Sequence, residues 1–269
     1  FDYGGAFNLF VYLKEKKIIK NKYKFYFFLY GPAKKCKSIL NKKKIKIEKN
    51  LNKLKNCDKI YYSLSKDKKF EEKVITKIKK KKIYSILVLD GWGNYKKKMV
   101  INKSLFLPNK VILFDFLALK IFKNLKFSKK VLVEVHKDLL FKYIKKKYNL
   151  KKSEEKELLY LSSPIYKLNK TDMVNLKKIS SNLNLKLKIR HHPSQNKIQA
   201  KKDLIQELNS SKIVIGHNSS ALIYSSVLNK KAYCIDKNDL YNWKKYGIYK
   251  FFKINKFNTF KEMFSGVSK

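Results

Sequence analysis

Short apolar runs alternate along the chain with longer lysine-rich stretches whose apolar residues recur at helical spacing. The runs are rich in Ile, Val, Tyr and Phe and have the length of buried strands. They cover residues 24–30, 59–63, 83–89, 110–114, 131–135, 157–161, 185–189, 212–215 and 232–235. Helical spacing is clear in Phe70–Lys80 and Thr171–Leu183. Strands that alternate with helices build βαβ units, so the pattern predicts an α/β fold with parallel sheets and helices on both faces.

The most polar bridge in the chain, residues 145–156, has four or five predicted strands on each side. We therefore predict two Rossmann-like domains, residues 1–150 and 151–269, with a central cleft between them. The chain begins at Phe1 without an initiator Met, and Gly4-Gly5 precedes an apolar segment of helical spacing. This start is typical of a strand-to-helix turn, which predicts that the first strand of the amino-terminal domain is missing.

The composition is that of a folded protein, because 44% hydrophobic and 14% aromatic residues stand against 32% charged ones. No apolar run approaches the roughly 18 residues that a membrane span needs. The three cysteines are widely spaced and have no metal-ligand rhythm. A reduced, cytoplasmic setting fits them best, and we predict no metal site.

The formal net charge of +45 raises the question of nucleic acid. Lysines are spread over nearly every segment, however, and Arg190 is the only arginine. Proteins that read nucleic acid favour arginine, and no helix-turn-helix, zinc-finger or RNA-recognition signature is present. We interpret the lysine surface as coding bias, with weak peripheral contact to an anionic membrane face as a side effect, and we predict no dedicated nucleic-acid partner.

Arg190 stands in Arg-His-His-Pro at the end of a predicted strand. An arginine in a chain this biased toward lysine suggests a task that needs a planar guanidinium, such as bidentate binding of a carboxylate or phosphate. The alternative is a loop that happens to hold an arginine. His192, whose backbone Pro193 restricts, can donate a hydrogen bond to a phosphate oxygen of a departing nucleotide. For His191 a structural role is equally consistent with the pattern.

A second strand-end motif is Asp90-Gly91-Trp92-Gly93 after the apolar run 87–89. A carboxylate released there by glycines can act as general base on a sugar hydroxyl, although an aspartate that caps a helix or ends a strand fits the pattern equally well. Trp92 and Tyr95 are candidates for stacking on an acceptor sugar, unless they belong to the core.

The third motif runs from Gly216 through Asn218 and Ser219-Ser220 into an apolar-periodic helix. Serine hydroxyls and the first-turn N–H groups of a helix form an anion site that the helix dipole reinforces. The alternative is an ordinary serine N-cap.

In this order, Asp-Gly, His-Pro and Ser-Ser resemble the motifs of bacterial sialyltransferases and polysialyltransferases of the GT-B fold. The resemblance implies that Asp90 is the base and that His192, Ser219 and Ser220 bind the donor phosphate. We add Arg190, Gly216 and Asn218 to the predicted phosphate site. It also implies an acceptor-side amino-terminal domain and a nucleotide-sugar-binding carboxy-terminal domain. In the acceptor-side domain, the glycines of Gly4-Gly5 allow backbone to approach the substrate closely. The residue before Asp90 is Leu89, where the family usually has an acidic residue.

The function that follows is an inverting transferase that moves a sugar from a nucleotide-activated donor to a cell-surface glycan or lipopolysaccharide. The sequence has no Asp-x-Asp motif and no G-x-G-x-x-G fingerprint. We therefore predict metal-independent transfer with no cofactor beyond the nucleotide-sugar co-substrate. Two alternatives stay open, a nucleotide-sugar epimerase or hydrolase on the same fold, and a non-enzymatic lysine-rich binder of nucleic acid or membrane surfaces.

Overall fold

The computed structural model describes residues 5–18, 50–63, 68–89, 91–101, 103–136, 139–148, 156–163, 168–192, 203–239 and 242–267. The chain divides into two compact units, Phe1–Tyr143 and Ile144–Lys269. The predicted boundary at residue 150, the predicted strand 24–30 and two predicted site residues, Gly4 and Asp90, lie outside the described residues.

The first unit is built on a sheet of four parallel strands in the order β1-β2-β5-β6, beside a small antiparallel hairpin of β3 and β4. The strands are β1 (Lys59–Tyr62), β2 (Tyr84–Val88), β3 (Val100–Ile101), β4 (Ser104–Leu105), β5 (Lys110–Leu113) and β6 (Leu132–Val135). The helices are α1 (Gly5–Glu15), α2 (Lys68–Lys81), α3 (Tyr95–Met99), α4 (Phe116–Lys123) and α5 (Leu139–Tyr148), which runs into the second unit. The central strands β2 and β5 are buried along most of their length, which explains their unbroken apolar sequence.

The second unit carries a five-stranded parallel sheet in the order β11-β10-β9-β7-β8. Its strands are β7 (Glu157–Leu161), β8 (Lys186–Arg190), β9 (Ser211–Gly216), β10 (Lys231–Ile235) and β11 (Asn255–Phe257). The helices are α6 (Lys170–Asn182), α7 (Leu204–Ser210), α8 (Ser220–Val227), α9 (Ile248–Phe251) and α10 (Phe260–Val267). Helices α6 and α10 cover one face through Leu176, Ile179, Phe260 and Met263, all buried.

The predicted α/β fold with parallel sheets is confirmed, and each predicted strand on described residues is present with ends that differ by one residue at most. Strand β11 was not predicted, because Asn255-Lys256-Phe257 is too short and polar to stand out, and neither was the hairpin of β3 and β4. Among the residues described above, no helix is long and apolar enough to cross a membrane.

The strand order of the second unit contains a point where the chain reverses its direction across the sheet. From β7 the chain moves outward to β8, then returns to the other side of β7 and continues through β9, β10 and β11. Because crossovers between parallel strands are right-handed, the helices that follow β7 and β9 leave toward opposite faces, and this arrangement is expected to form a crevice between the two strands. In open α/β sheets, ligands bind in such a crevice.

Candidate functional site

The crevice between the carboxyl ends of β7 and β9 is flanked by two polar segments. Ser162-Ser163 follows β7, and Gly216-His217-Asn218-Ser219-Ser220, the β9–α8 turn, follows β9. Leu161 pairs with Gly216 in the register of the two strands, so the polar segments begin side by side. The sequence-predicted Ser219-Ser220 motif thus lies at the switch point of the sheet.

Gly216 allows the two strands to approach closely at the floor of the crevice. A Cβ atom at this position would lie 3.1 Å from Leu161 Cβ and 3.4 Å from the Leu161 carbonyl oxygen. Strand packing is therefore a sufficient reason for glycine here. A contact between Gly216 and a donor phosphate stays a prediction.

Helix α8 begins with a serine cap, which the main-chain N–H of Ser220 follows directly. Ser219 is the N-cap residue, and its Oγ accepts a hydrogen bond of 3.3 Å from the Ala221 N–H. The capping alternative is therefore confirmed for Ser219, but a hydroxyl that accepts can still donate its own hydrogen to an anion. Ser220 is exposed, and among the described residues none accepts its main-chain N–H. The turn can offer an anion two donors together with the positive end of the helix dipole.

His192 is linked to the crevice through the β7 side. Its main-chain N–H donates to Ser162 Oγ at 2.8 Å, and the Ser162 N–H donates to the Arg190 carbonyl at 2.9 Å. Strand β7 separates β8 from β9, so the backbone of His192 lies about 10 Å, two strand spacings, from β9. The imidazole is half-buried and must span part of that distance to meet an anion at the β9–α8 turn.

Arg190 is the last residue of β8, and its guanidinium is buried against a carboxylate. Nη1 pairs with Glu207 Oε2 in helix α7, while Lys188 Nζ lies 3.2 Å from Glu207 Oε1. The sole arginine thus contacts a carboxylate inside the protein, one of the two kinds of partner that the sequence suggested for its guanidinium. A contact between Arg190 and a donor phosphate stays a prediction.

Replacing Arg190 with alanine should lower the free energy of unfolding by about 3 kcal/mol. That is the low end of the cost of removing one partner of a buried ion pair, because Lys188 stays beside Glu207. Urea denaturation would measure the loss. The matched control, Lys188→Ala, removes a half-buried cation from the same carboxylate and should cost about 1 kcal/mol or less. Equal costs for the two variants would contradict a dominant role for Arg190.

The His217 ring is held in one tautomer beneath the β9–α8 turn. Nδ1 lies 2.7 Å from the Ile235 carbonyl oxygen, which can only accept, so Nδ1 carries the hydrogen. Burial lowers the pKa of His217, opposed by this hydrogen bond and by the charges of Asp172 and Asp236. The ring is therefore neutral near pH 7 and adds no positive charge to the site.

A polar network that was not predicted from the sequence lies on the β10 side of the turn. Asn218 Nδ2 donates to Asp236 Oδ2 at 2.7 Å, and the Tyr249 hydroxyl donates to the same oxygen at 2.7 Å. Asp236 directly follows the apolar strand β10, the same signal that singled out Asp90, and could have been found that way. Tyr249 lies in α9 and carries no such signal, because only the fold brings it to β9.

The predicted acceptor residues have different outcomes. Tyr95 is 1% exposed, packs on the Phe122 ring at 5.9 Å and donates to the Gly91 carbonyl at 3.0 Å. Its prediction as a sugar-stacking residue is wrong, since a ring without an exposed face cannot stack on a ligand. Trp92 is half-buried and donates from Nε1 to Asp115 Oδ2 at 2.7 Å. Gly5 begins helix α1, and acceptor binding by Trp92 and Gly5 stays a prediction.

A titratable cluster at the carboxyl end of β6 was also missed. Glu134 pairs with both Lys110 and His136, and the Tyr12 ring lies 5.2 Å from the His136 ring. Burial opposes ionisation of Glu134, yet hydrogen bonds from Lys110 and His136 hold its pKa below the usual value. Burial also lowers the pKa of His136, despite the nearby carboxylate. Because helix α1 packs over this cluster through Tyr12, we assign it to the stability of the first unit.

Metal ligands are not grouped in the part of the chain that the structure describes: no three His, Cys, Asp or Glu side chains lie together as a metal would need. Cys57 and Cys234 are both free thiols.

Fold and site together define a parallel α/β protein whose β9–α8 turn, at the topological switch point, begins with a capping serine and the amino end of a helix. No protein-family model matches the chain, and no curated protein matches it. Two solved structures of the wall teichoic acid polymerase TagF are similar to it. The match to one of them covers 99% of this chain and 78% of the TagF chain, at 11% sequence identity and a TM-score of 0.42. The match to the other, which was soaked with CDPG, covers 88% of this chain and 67% of the TagF chain, at 8% sequence identity and a TM-score of 0.38. At these scores the likeness carries no argument about function.

Proposed function

We propose that this chain is an inverting, metal-independent glycosyltransferase of the GT-B type that transfers a sugar from a nucleotide-activated donor to a cell-surface glycan or lipopolysaccharide. The observation that supports it is the β9–α8 turn at the switch point, where Ser219 and the Ser220 N–H can bind the donor phosphate. The absence of an Asp-x-Asp motif from the sequence favours transfer without a metal.

Two kinds of group share the chemistry in this proposal, one general base and three hydrogen-bond donors to the phosphate. Asp90 removes the proton from the acceptor hydroxyl, and the resulting oxygen attacks the anomeric carbon of the donor sugar. The bond to the departing phosphate breaks on the opposite side, which inverts the configuration. Ser219, Ser220 and the His192 ring donate hydrogen bonds to the phosphate oxygens and stabilise the charge that develops there. Since preorganised donors carry this step, the site must hold them in place before the donor arrives.

A thermal-shift screen against CMP, UDP, GDP and CDP tests the proposal. We expect one of these nucleotides to raise the melting temperature more than the others, because a ligand at 100 times its Kd stabilises by about 2.7 kcal/mol. A chain with a net charge of +45 attracts every nucleotide to some extent. The screen is therefore run at physiological salt, with inorganic phosphate as the control.

Labelled donor then separates the candidate activities. Transfer to an added acceptor glycan, unchanged by EDTA, is the expected result. Nucleotide release that does not depend on acceptor would favour a hydrolase or epimerase on the same fold. If every nucleotide and inorganic phosphate bind equally, and this binding weakens steeply as salt rises, the protein is a non-enzymatic polyanion binder. That result would contradict the proposal.

A further inference from the structure

The network around Asn218 does more than fill the space between β9 and β10. Asn218 has a left-handed backbone, φ +31°, in the middle of the β9–α8 turn. A non-glycine residue in this region is uncommon and persists where surrounding contacts hold it. The hydrogen bonds made by Asn218 are therefore the contacts that can hold its backbone in this region.

Both the backbone and the side chain of Asn218 are bonded inside the protein. Its main-chain N–H donates to Cys234 Sγ at 3.3 Å, and the Cys234 thiol donates back to Oδ1 at 2.9 Å. Burial raises the pKa of Cys234 to about 12, so the thiol keeps its hydrogen at physiological pH. The amide nitrogen donates to Asp236 Oδ2 at 2.7 Å. Three atoms of Asn218 are thus hydrogen-bonded to strand β10 or to Asp236, the residue that follows it.

Tyr249 closes the network from helix α9. Its hydroxyl lies 2.7 Å from Asp236 Oδ2 and 3.1 Å from Asn218 Oδ1. The ring packs edge-on against Trp243 at 5.6 Å, so it is held independently of its hydroxyl. Asp236 is 6% exposed, and a carboxylate buried to this extent needs such donors to stay in place.

We propose that Tyr249 and Asp236 are positioning residues for donor binding: through Asn218 they hold the β9–α8 turn in the conformation that presents Ser219 and the Ser220 N–H to the donor phosphate. Asn218 acts in this way through the turn, in place of the direct phosphate contact that its sequence motif suggests. The inference rests on the proposed function for its ligand, while the geometry of the network stands apart from it.

Tyr249→Phe is the first test, because it removes one hydroxyl and keeps the ring against Trp243. We expect the donor KM and the Kd of the preferred nucleotide to rise about tenfold, the effect of losing one hydrogen bond to a carboxylate, with kcat changed by less than about threefold. The matched control is Tyr246→Phe, a half-exposed tyrosine on the same segment, which should match wild type. Equal nucleotide affinity in the two variants would overturn the proposal.

A double-mutant cycle distinguishes positioning from a general loss of stability. Asn218→Gly keeps the left-handed backbone accessible but removes the side chain that transmits the contact. If Tyr249 acts through Asn218, the double variant should bind nucleotide no more weakly than Asn218→Gly alone. Additive losses would show that Tyr249 acts by another route and would contradict the inference.

Hydrogen exchange keeps the test separate from the proposed function. In Tyr249→Phe without ligand, amides in residues 218–222 should exchange faster than in wild type or Tyr246→Phe, whatever the protein binds. If wild type binds no nucleotide and exchange still rises, the proposed function fails while the network is upheld. If exchange does not change, the positioning role itself is wrong.

Discussion

Replacing Asp90 with asparagine is expected to lower turnover by about 10²–10⁴, the usual contribution of a general base. Asparagine keeps the shape of the side chain and removes the proton acceptor. Donor binding should survive, because in our proposal the phosphate contacts belong to the second unit. The informative measurement is the pair of kcat for sugar transfer and Kd for the nucleotide, where a loss of kcat alone supports the base.

Two other aspartates of the first unit serve as controls. Asp58→Asn changes an exposed residue and should leave both kcat and stability unchanged. Asp115 is buried, caps α4 through the Ala118 N–H at 2.6 Å and accepts from Trp92. Asp115→Ala should therefore lower the melting temperature, since losing such a cap costs about 0.5–2 kcal/mol. If Asp90→Asn lowers the melting temperature together with kcat and nucleotide affinity, Asp90 is a structural residue of the same kind.

Replacing His192 with alanine should lower kcat/KM for the donor by about 10²–10³, the range for removing one donor to a developing charge. The fold should tolerate the change, because it is the main-chain N–H of His192 that donates to Ser162 Oγ, and alanine keeps it. Steady-state kinetics and a melting curve on the same preparation measure both effects.

The neighbouring histidine offers the matched control for this experiment. His191 is exposed, and His191→Ala should leave kcat/KM within about twofold of wild type, as surface substitutions usually do. A conservative variant, His192→Gln, keeps an N–H near the position of Nε2 and should recover part of the activity. Full activity in His192→Ala would remove histidine from the phosphate site and leave Ser219 and Ser220 as its donors.

The sequence was sufficient for the described strands of four or more residues and for the start of helix α8. Apolar runs such as 83–89 and 157–161 form buried parallel strands. Because both faces of each sheet are covered, these strands are apolar throughout and do not alternate between apolar and polar residues, which makes them easy to identify in the sequence. Ser219 is a cap by local chemistry alone, since its Oγ meets an N–H two residues further on.

The sequence pattern also contained evidence against the predicted sugar-stacking role of Tyr95. Tyr95 and Met99 are four residues apart, the spacing of one helix face, and both are buried in α3. Helical spacing of two large apolar residues predicts a core face better than it predicts a sugar-binding surface.

What the sequence determined by itself is local: the apolar strands of the two sheets, helical segments such as residues 171–183, and the serine that caps helix α8. Only the tertiary structure decided the strand order, and with it the switch point between β7 and β9. The tertiary structure also determined which distant side chains meet: Arg190 pairs with Glu207. Asn218 is hydrogen-bonded to Asp236 and to Tyr249. The physical reason is that spacing along the chain fixes contacts within a turn or two of backbone. Pairing between distant strands depends on the packing of the whole sheet.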